Sequence, residues 1–305
     1  MSYISWTEGA SLAPLTSWRI GGPCRAFAEP RSPEQVTAAR REAERRGWPV
    51  ILIGGGTNLL VADEGYPGLV IRYAGREHRL EVSGSTATVR VGAGAALTQI
   101  ARTTARVGWA GLAWAEGIPG TVGGAVVGNA GAYGGEIAGS LESLEIVQPD
   151  GTREEWFAER MDYSYRSSIL KGRDPAGPAV VAAHFRLQRD DPAQLAAELD
   201  RIAAARRSTT PGGPSAGSVF RNPPGQPAGK LIDDAGCKGM RYGRAAVSMV
   251  HANHIINEGG ALARDVLTLI EAVRARVRDA FGIVLELEVE LVGFGQGQRD
   301  GNASD

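Results

Sequence analysis

The chain has 305 residues, 43% of them hydrophobic and 22% charged, a composition typical of a folded globular protein. Its 33 lysines and arginines nearly balance 34 aspartates and glutamates, so no overall basic field favours binding to nucleic acid. The length indicates two or three domains, because a single hydrophobic core rarely grows that large.

The sequence carries no sign of a membrane segment or of secretion. Its start lacks a basic stretch followed by an apolar core, and no run of about 18 apolar residues occurs. Cys24 and Cys237 lie far apart without paired spacing, which favours reduced thiols over a disulfide or a zinc site. We therefore expect a cytoplasmic protein, monomeric, with no metal and no membrane partner.

The first predicted elements surround a glycine turn. Ser32, Pro33 and Gln35 form a capping box that begins a helix over 33–46, and Gly47 ends it. A buried strand over 49–53 then runs into the turn at 54–58 and a short strand over 59–61. A dinucleotide-binding Rossmann unit is excluded, because it needs a long helix directly after the glycines.

The following segments alternate between strands and single helices, which predicts an α+β fold with mixed sheets. The predicted strands are 86–91, 141–147, 152–157 and 180–187, with a helix over 97–107 and a two-residue hairpin turn at Asp150-Gly151.

A domain boundary is expected near 190–210. A helix begins at Pro192 with Leu195, Leu199 and Ile202 on one face, and a loop covers 208–217. Apolar residues at helical spacing predict a helix over 262–281 that Gly282 ends. A strand over 283–292 and a disordered tail over 296–305 complete the prediction.

Residues 117–137 hold eight glycines, interleaved with Ile118, Val122, Val126 and Val127. Glycines at this density fit a place where the backbone bends tightly or presses against a ligand. Successive backbone N–H groups in a glycine turn can also hold an anionic oxygen, and the turn at 54–58 suits that role. Two such segments together favour a long cofactor with two phosphates.

Several motifs in order resemble the UDP-N-acetylenolpyruvoylglucosamine reductase family. They cover residues 12–293 and comprise the segments 19–22, 54–60, 117–124, 129–134, 165–168, 215–222 and 251–253. The chain resembles the shorter branch, since residues 170–190 leave no room for an added tyrosine-bearing loop. Thr57 stands where the family usually has serine, and His254 where phenylalanine is common.

The resemblance implies a vanillyl-alcohol-oxidase-like FAD-binding fold of two subdomains with a third, α+β, substrate-binding domain. The expected bounds are 1–75, 76–190 and 191–295, and the strand over 283–292 could return toward the flavin. The resemblance also implies reduction of UDP-N-acetylglucosamine enolpyruvate to UDP-N-acetylmuramate in peptidoglycan synthesis. The cofactor would be non-covalent FAD, and NADPH the reductant.

Three residues are the candidates for catalysis. The planar charge of Arg166 suits the substrate carboxylate beside the developing negative charge. The resemblance makes Ser218 the proton donor, since a hydroxyl can protonate a much more basic carbanion. It also picks Glu288 as the acidic partner, although Glu286 and Glu290 share the same face of the predicted strand.

The resemblance further implies two binding sets. The residues expected to hold FAD are Arg19, Gly54, Gly55, Gly56, Thr57, Asn58, Leu59, Ile118, Pro119, Gly120, Thr121, Gly123, Gly124, Asn129, Gly131, Ala132, Gly135 and Ile137. Those expected on the substrate side are Arg206, Asn222, Lys230, Lys238, His251 and Asn253, with Arg206 serving either the diphosphate or NADPH.

Two other functions remain open at the level of sequence. One is another flavin oxidase or dehydrogenase of the same fold, although many of those bind flavin through a histidine near the first glycine turn and 54–58 has none. The other is a nucleotide-binding scaffold without turnover, which the presence of Arg166, Ser218 and Glu288 disfavours.

Overall fold

The structure, a computed structural model, describes residues 4–172 and 175–295. The predicted tail at 296–305 lies outside these residues. Within them the chain forms two compact units: unit 1 comprises residues 4–8, 26–55 and 68–208, and unit 2 comprises residues 9–25, 56–67 and 209–295. The three-domain bounds expected from the sequence stay a prediction.

The helices in chain order are α1 Pro33–Arg45, α2 Leu97–Arg106, α3 Val122–Gly128, α4 Ile137–Ser140, α5 Pro192–Thr209, α6 Ala228–Asp234 and α7 Ala263–Phe281. The strands are β1 Trp6–Glu8, β2 Cys24–Ala28, β3 Val50–Ile53, β4 Leu59–Val61, β5 Tyr66–Arg72, β6 His78–Ser83, β7 Thr86–Gly92, β8 Trp109–Ala110, β9 Gly131–Ala132, β10 Gly135–Glu136, β11 Leu141–Val147, β12 Arg153–Phe157, β13 Ala179–Arg189, β14 Arg241–Tyr242, β15 Ala245–Val247, β16 Ile255–Asn257 and β17 Glu290–Val292.

Unit 1 contains two larger sheets. One has the order β1-β2-β5-β3, in which β3 and β5 are parallel. The other has the order β12-β11-β13-β7-β6, with β8 added beside β13. The core beside the second sheet buries Phe185, Leu144 and Ile137 completely and includes residues of α2 and α3.

Unit 2 is built around α7. Val266, Ile270, Val273 and Val277 are buried in its core, as their spacing predicts, while Phe281 stays 41% exposed. Gly282 ends the helix with a φ of 70°. A three-stranded sheet of β14, β15 and β16 and a parallel pair of β17 with β4 belong to the same unit.

Most predicted elements are confirmed to within one or two residues, and three are corrected. The hairpin between β11 and β12 turns through 149–151, because Gly151 donates to the Gln148 carbonyl and Gln148 to that of Thr152; Asp150-Gly151 is therefore not its central pair. Helix α5 runs through Thr209 into the predicted loop. The predicted strand over 283–292 is wrong in most of its length, since β17 covers only Glu290–Val292.

The α+β class predicted from the sequence is confirmed by this mixture of helices with parallel and antiparallel strands. Among the described residues, no helix combines the length and the apolar character that crossing a membrane requires.

Candidate active site

The first glycine turn packs directly on the second glycine segment within unit 1. A Cβ atom on Gly54 would lie 2.9 Å from Thr121 Oγ1, and one on Gly55 would lie 2.9 Å from the Gly120 Cα. Real Cβ atoms do not approach other atoms so closely, so a side chain at either position would force the second glycine segment to shift. Part of the glycine requirement therefore comes from backbone packing on backbone, before any ligand is considered.

The next residues of the turn lie in unit 2 and present free backbone donors. Gly56 has a φ of 64°, and its carbonyl accepts the Ser17 N–H at 3.0 Å. Within the described residues, the N–H groups of Gly56, Thr57 and Asn58 donate to no protein acceptor. Three successive unpaired N–H groups form a concave donor set that suits a phosphate oxygen.

We expect the Gly56→Ala substitution to destabilise the turn strongly. A Cβ atom at this position would collide with the Leu15 carbonyl oxygen, in addition to the strain of a positive φ. The free energy of unfolding should fall by more than about 2 kcal/mol. Chemical denaturation measures this loss.

Gly9→Ala is the matched control. Gly9 has nearly the same φ, 62°, but a methyl group added there would meet no atom within 4 Å. The substitution should cost only about 1 kcal/mol, the strain of the left-handed backbone alone. Equal losses in the two variants would contradict a steric role for Gly56.

The second glycine segment is shaped by local turns and caps. Thr121 caps α3 by accepting the Gly124 N–H at 3.3 Å, and Asn129 ends the helix with a φ of 44°. Strands β9 and β10 then pair around Tyr133 and Gly134, both with positive φ. Ile137, expected near FAD, has a completely buried side chain in the core of unit 1, so only its backbone remains for a ligand.

The entry to this segment is fixed by a buried carboxylate that was not anticipated from the sequence. Glu116 is 2% exposed and accepts two hydrogen bonds from Arg102, while Thr98 Oγ1 donates to the Ile118 carbonyl at 2.8 Å. Arg206 also lies against the segment, with its Cδ 2.7 Å from a Cβ placed on Gly117. The only sequence signal was the acidic residue beside the glycine run.

Arg166 lies at the tip of a tight hairpin in unit 1. Ser164 and Ser167 exchange backbone hydrogen bonds at 3.2 and 3.1 Å, and Arg166 has a φ of 55°. Its guanidinium donates to the Gly131 carbonyl at 2.7 Å. Arg166 therefore lies beside the second glycine segment, where the sequence places the cofactor.

Three polar side chains make hydrogen bonds that hold this hairpin against the end of α3. Asn129, which is fully buried, donates to the Ser164 carbonyl at 3.0 Å. The Tyr163 hydroxyl donates to the Val126 carbonyl at 3.0 Å, and burial raises its pKa. Ser168 donates to the Val127 carbonyl at 2.6 Å. Helix α3, which begins within the second glycine segment, therefore also holds the hairpin that carries Arg166.

In unit 2, the backbone next to Ser218 is hydrogen-bonded to the backbone of Glu288. The Val219 carbonyl, next to Ser218, accepts the Glu288 N–H at 2.8 Å. Asn58 Nδ2 donates to the Glu288 carbonyl at 2.8 Å, and the Asn58 carbonyl accepts the Glu290 N–H at 2.9 Å. The candidate proton donor, the candidate carboxyl and the first glycine turn are therefore connected through hydrogen bonds.

The structure separates Glu288 from the two acids that the sequence could not distinguish from it. Residues 283–286 are not in a strand, and a bend at Val289 precedes β17, so the continuous strand that the shared face assumed is not present. Glu286 and Glu290 are exposed, whereas Glu288 is partly buried. The burial is the property expected of a carboxyl group in a binding cleft.

The two lysines expected on the substrate side are held by acids of α6. Lys230 Nζ lies 2.6 Å from Asp234, and Lys238 Nζ lies 2.6 Å from Asp233. Asn222 is exposed, and its Oδ1 accepts the Ala228 N–H at 2.9 Å. Arg19 is exposed on a turn, with a φ of 56°. The two aspartates were not anticipated from the sequence, although their spacing from the lysines was visible.

His251 lies near Lys238 and is held in one tautomer. Its Nδ1 accepts the Asn253 N–H at 3.2 Å, so a neutral ring carries its proton on Nε2. Burial lowers the pKa of His251; a backbone hydrogen bond offsets part of this, and the Lys238 ammonium adds a smaller lowering effect. A neutral His251 ring can therefore donate a hydrogen bond through Nε2, the ring nitrogen that does not accept the Asn253 N–H.

This lowered pKa predicts a loss of stability on acidification. As the pH falls below the ordinary histidine value of about 6.5, the unfolded chain takes up a proton that folded His251 resists. The free energy of unfolding should fall less for His251→Gln than for the wild type between about pH 7.5 and 5.5. His78→Gln, at an exposed position, is the control and should keep the wild-type dependence. An unchanged slope in His251→Gln would contradict the assignment.

The comparisons with known proteins cover almost the whole chain. Residues 24–155 match the family model described as FAD binding domain, and residues 208–292 match that of the UDP-N-acetylenolpyruvoylglucosamine reductase C-terminal domain. The reductase of that name from Chloroflexus aggregans is 48% identical over 91% of this chain and 94% of its own. The chain belongs to the UDP-N-acetylenolpyruvoylglucosamine reductase family.

Other members of the family agree with this. The reductase from Rubrobacter xylanophilus is 45% identical over 92% of this chain and 93% of its own. The crystal structure of UDP-N-acetylenolpyruvylglucosamine reductase from Thermus caldophilus is 36% identical, with a TM-score of 0.80, and the match covers 96% of this chain and all of that one. The predicted FAD-binding fold is thereby confirmed.

Proposed function

We propose that this protein is an FAD-dependent reductase that uses NADPH to reduce UDP-N-acetylglucosamine enolpyruvate to UDP-N-acetylmuramate in peptidoglycan synthesis. The observation that carries the proposal is 42–48% identity over more than nine tenths of the chain to proteins named for this reductase. NADPH as the reductant, the cytoplasmic location and the monomeric state stay predictions.

The donor set of the first glycine turn supports FAD as the cofactor. The unpaired N–H groups of Gly56, Thr57 and Asn58 suit a diphosphate oxygen, and the glycines of the second segment leave no side chain over their backbone. Thr121, Gly123 and Gly124 begin α3, and Arg166 lies beside Gly131. When bound, the flavin supplies the hydride for reduction of the enolpyruvyl double bond.

The chain's own residues supply the charge and the proton. We assign Arg166 to the substrate carboxylate, where its fixed positive charge stabilises the negative charge that develops at the neighbouring carbon. Ser218 gives its hydroxyl proton to that carbon, and Glu288 completes the polar side of the pocket. Lys230, Lys238 and His251 provide donors for the nucleotide diphosphate, and Asp233 and Asp234 hold the lysines until substrate replaces them.

Anaerobic spectroscopy tests the proposal. The purified protein should be yellow, NADPH should bleach the flavin, and only the enolpyruvyl nucleotide should restore the colour. Bleaching of the flavin by an alcohol without NADPH, followed by recolouring with oxygen, would instead support a flavin oxidase. A colourless protein that cannot be reconstituted with FAD would contradict both.

A further inference from the structure

The side chain of Asn253 makes two hydrogen bonds to the backbone that follows Ser218. Asn253 is 3% exposed. Its Oδ1 accepts the Phe220 N–H at 2.9 Å, and its Nδ2 donates to the Phe220 carbonyl at 2.8 Å. The Asn253 carbonyl also accepts the Val219 N–H at 2.9 Å. Both functional groups of the amide are thus used within the protein.

This arrangement leaves the Asn253 amide poorly suited to contact a ligand. A substrate hydrogen bond would require solvent-accessible surface, and the residue has almost none. Its second amide N–H and the second lone pair of Oδ1 belong to a residue that is 3% exposed, so a ligand would reach them only if the surrounding backbone moved. The role that the resemblance implies for Asn253, direct binding of substrate, therefore does not fit its environment.

The hydrogen bonds of Asn253 act on the C-terminal side of Ser218. Gly217, on the other side, has a φ of 79°, and a Cβ added to it would meet no atom within 4 Å. Ser218 itself pairs as an isolated bridge with His254, directly after Asn253. The backbone from Ser218 to Phe220 is therefore held by residues 253 and 254 and also by the segment at Leu287 and Glu288.

A neutral amide satisfies this site, and an ionised carboxylate does not. The two bonds to Phe220 need one acceptor and one donor at a fixed separation, which the asparagine side chain supplies. An aspartate of the same shape would place a second acceptor against the Phe220 carbonyl, losing one hydrogen bond and adding repulsion in a buried place. We therefore expect the Asn253→Asp substitution to move the backbone beside Ser218 with little change in volume.

We propose that Asn253 is a positioning residue that holds the Ser218 hydroxyl for proton transfer, and that it is not a substrate ligand. This rests on the proposed function. In the step concerned, the O–H bond of Ser218 breaks while the electron pair on the substrate carbon forms a new C–H bond. The serine alkoxide then regains a proton from water. A displacement of about 1 Å in such a donor can slow the step by about 100-fold.

The test compares the two half-reactions of Asn253→Asp in H₂O and D₂O. Reduction of the flavin by NADPH should stay within about threefold of wild type, while reoxidation by saturating enolpyruvyl nucleotide should slow about 10–100-fold. The solvent isotope effect on reoxidation should rise, because proton transfer becomes the slow step. The dissociation constant of the nucleotide, titrated on oxidised enzyme, should change by less than about threefold.

Asn257→Asp is the matched control. Asn257 is a 6% exposed asparagine of the same unit, and its amide bonds the Trp18 carbonyl and the N–H groups of Gly259 and Ala261. It should lose unfolding stability to a similar extent without a larger solvent isotope effect. Ser218→Ala combined with Asn253→Asp should reoxidise no more slowly than Ser218→Ala alone, because both act on the same proton.

Three outcomes would overturn the proposal. They are a weakened nucleotide affinity with an unchanged rate at saturation, an equal fall of both half-reactions with no rise in the isotope effect, and additive losses in the double variant. Asn253→Ser replaces the aspartate if that variant does not fold. If wild-type flavin bleaches with NADPH but the nucleotide never restores it, the proposed function fails, which is distinguishable from all three.

Discussion

Ser218→Ala is expected to leave the reduction of FAD by NADPH intact and to slow its reoxidation by the enolpyruvyl nucleotide about 10²–10⁴-fold, the usual effect of a positioned acid. The reason is that the first half-reaction needs no proton from Ser218, whereas the second leaves a carbanion that must be protonated. Stopped-flow measurement of the flavin colour under anaerobic conditions separates the two.

Ser215→Ala provides the control within the same loop. The Ser215 hydroxyl accepts the Gly217 N–H at 3.2 Å, so this variant disturbs the loop but leaves the Ser218 hydroxyl in place. Its reoxidation should stay within a few-fold of wild type. Equal losses in both half-reactions of Ser218→Ala would count against its role as the acid.

Arg166→Gln is expected to slow reoxidation about 10²–10³-fold, because a fixed charge is removed from the place where negative charge develops. The hydrogen bond of Arg166 to the Gly131 carbonyl holds the guanidinium beside the second glycine segment. Arg166→Lys restores the charge but not the planar fork and should recover only part of the rate.

The control for this prediction is Arg160→Gln. Arg160 is close in sequence, stacks on Trp156 at 3.8 Å and pairs with Glu154 at 3.1 Å. Its loss should leave both half-reactions unchanged. Reoxidation of Arg166→Gln at the wild-type rate would show that the substrate carboxylate binds elsewhere.

Elements with local causes could be predicted from the sequence. Helix α1 follows from the Ser32 cap, whose Oγ accepts the Gln35 N–H, and α7 from its apolar period and the Gly282 stop. The sequence did not show how the first turn of α7 is capped, because the acceptor of the Ala263 N–H is Asp63, 200 residues earlier in the chain. Caps and periodicity lie within a few residues, whereas such a contact depends on the folded chain.

The same limit explains what was missed in the site. The alternation of Glu286, Glu288 and Glu290 assumed a continuous strand, but the strand covers only Glu290–Val292 and a bend at Val289 precedes it. The glycines at 54 and 55 could be recognised as special, although the sequence could not show that their neighbours are Gly120 and Thr121. The motifs identified the candidate site residues. The tertiary contacts, which the sequence does not show, determine which of these residues have polar groups available for a ligand.

The parallel pairing of β4 with β17 has a consequence for how the protein is made. Asn58 and its hydrogen-bond partner Glu288 are 230 residues apart, so the turn emerges from the ribosome long before the strand that stabilises it. Pairings over such distances form slowly, because a long loop must close first. Nascent chains should therefore acquire flavin late, and arrested translation intermediates that stop before Glu290 should fail to retain it.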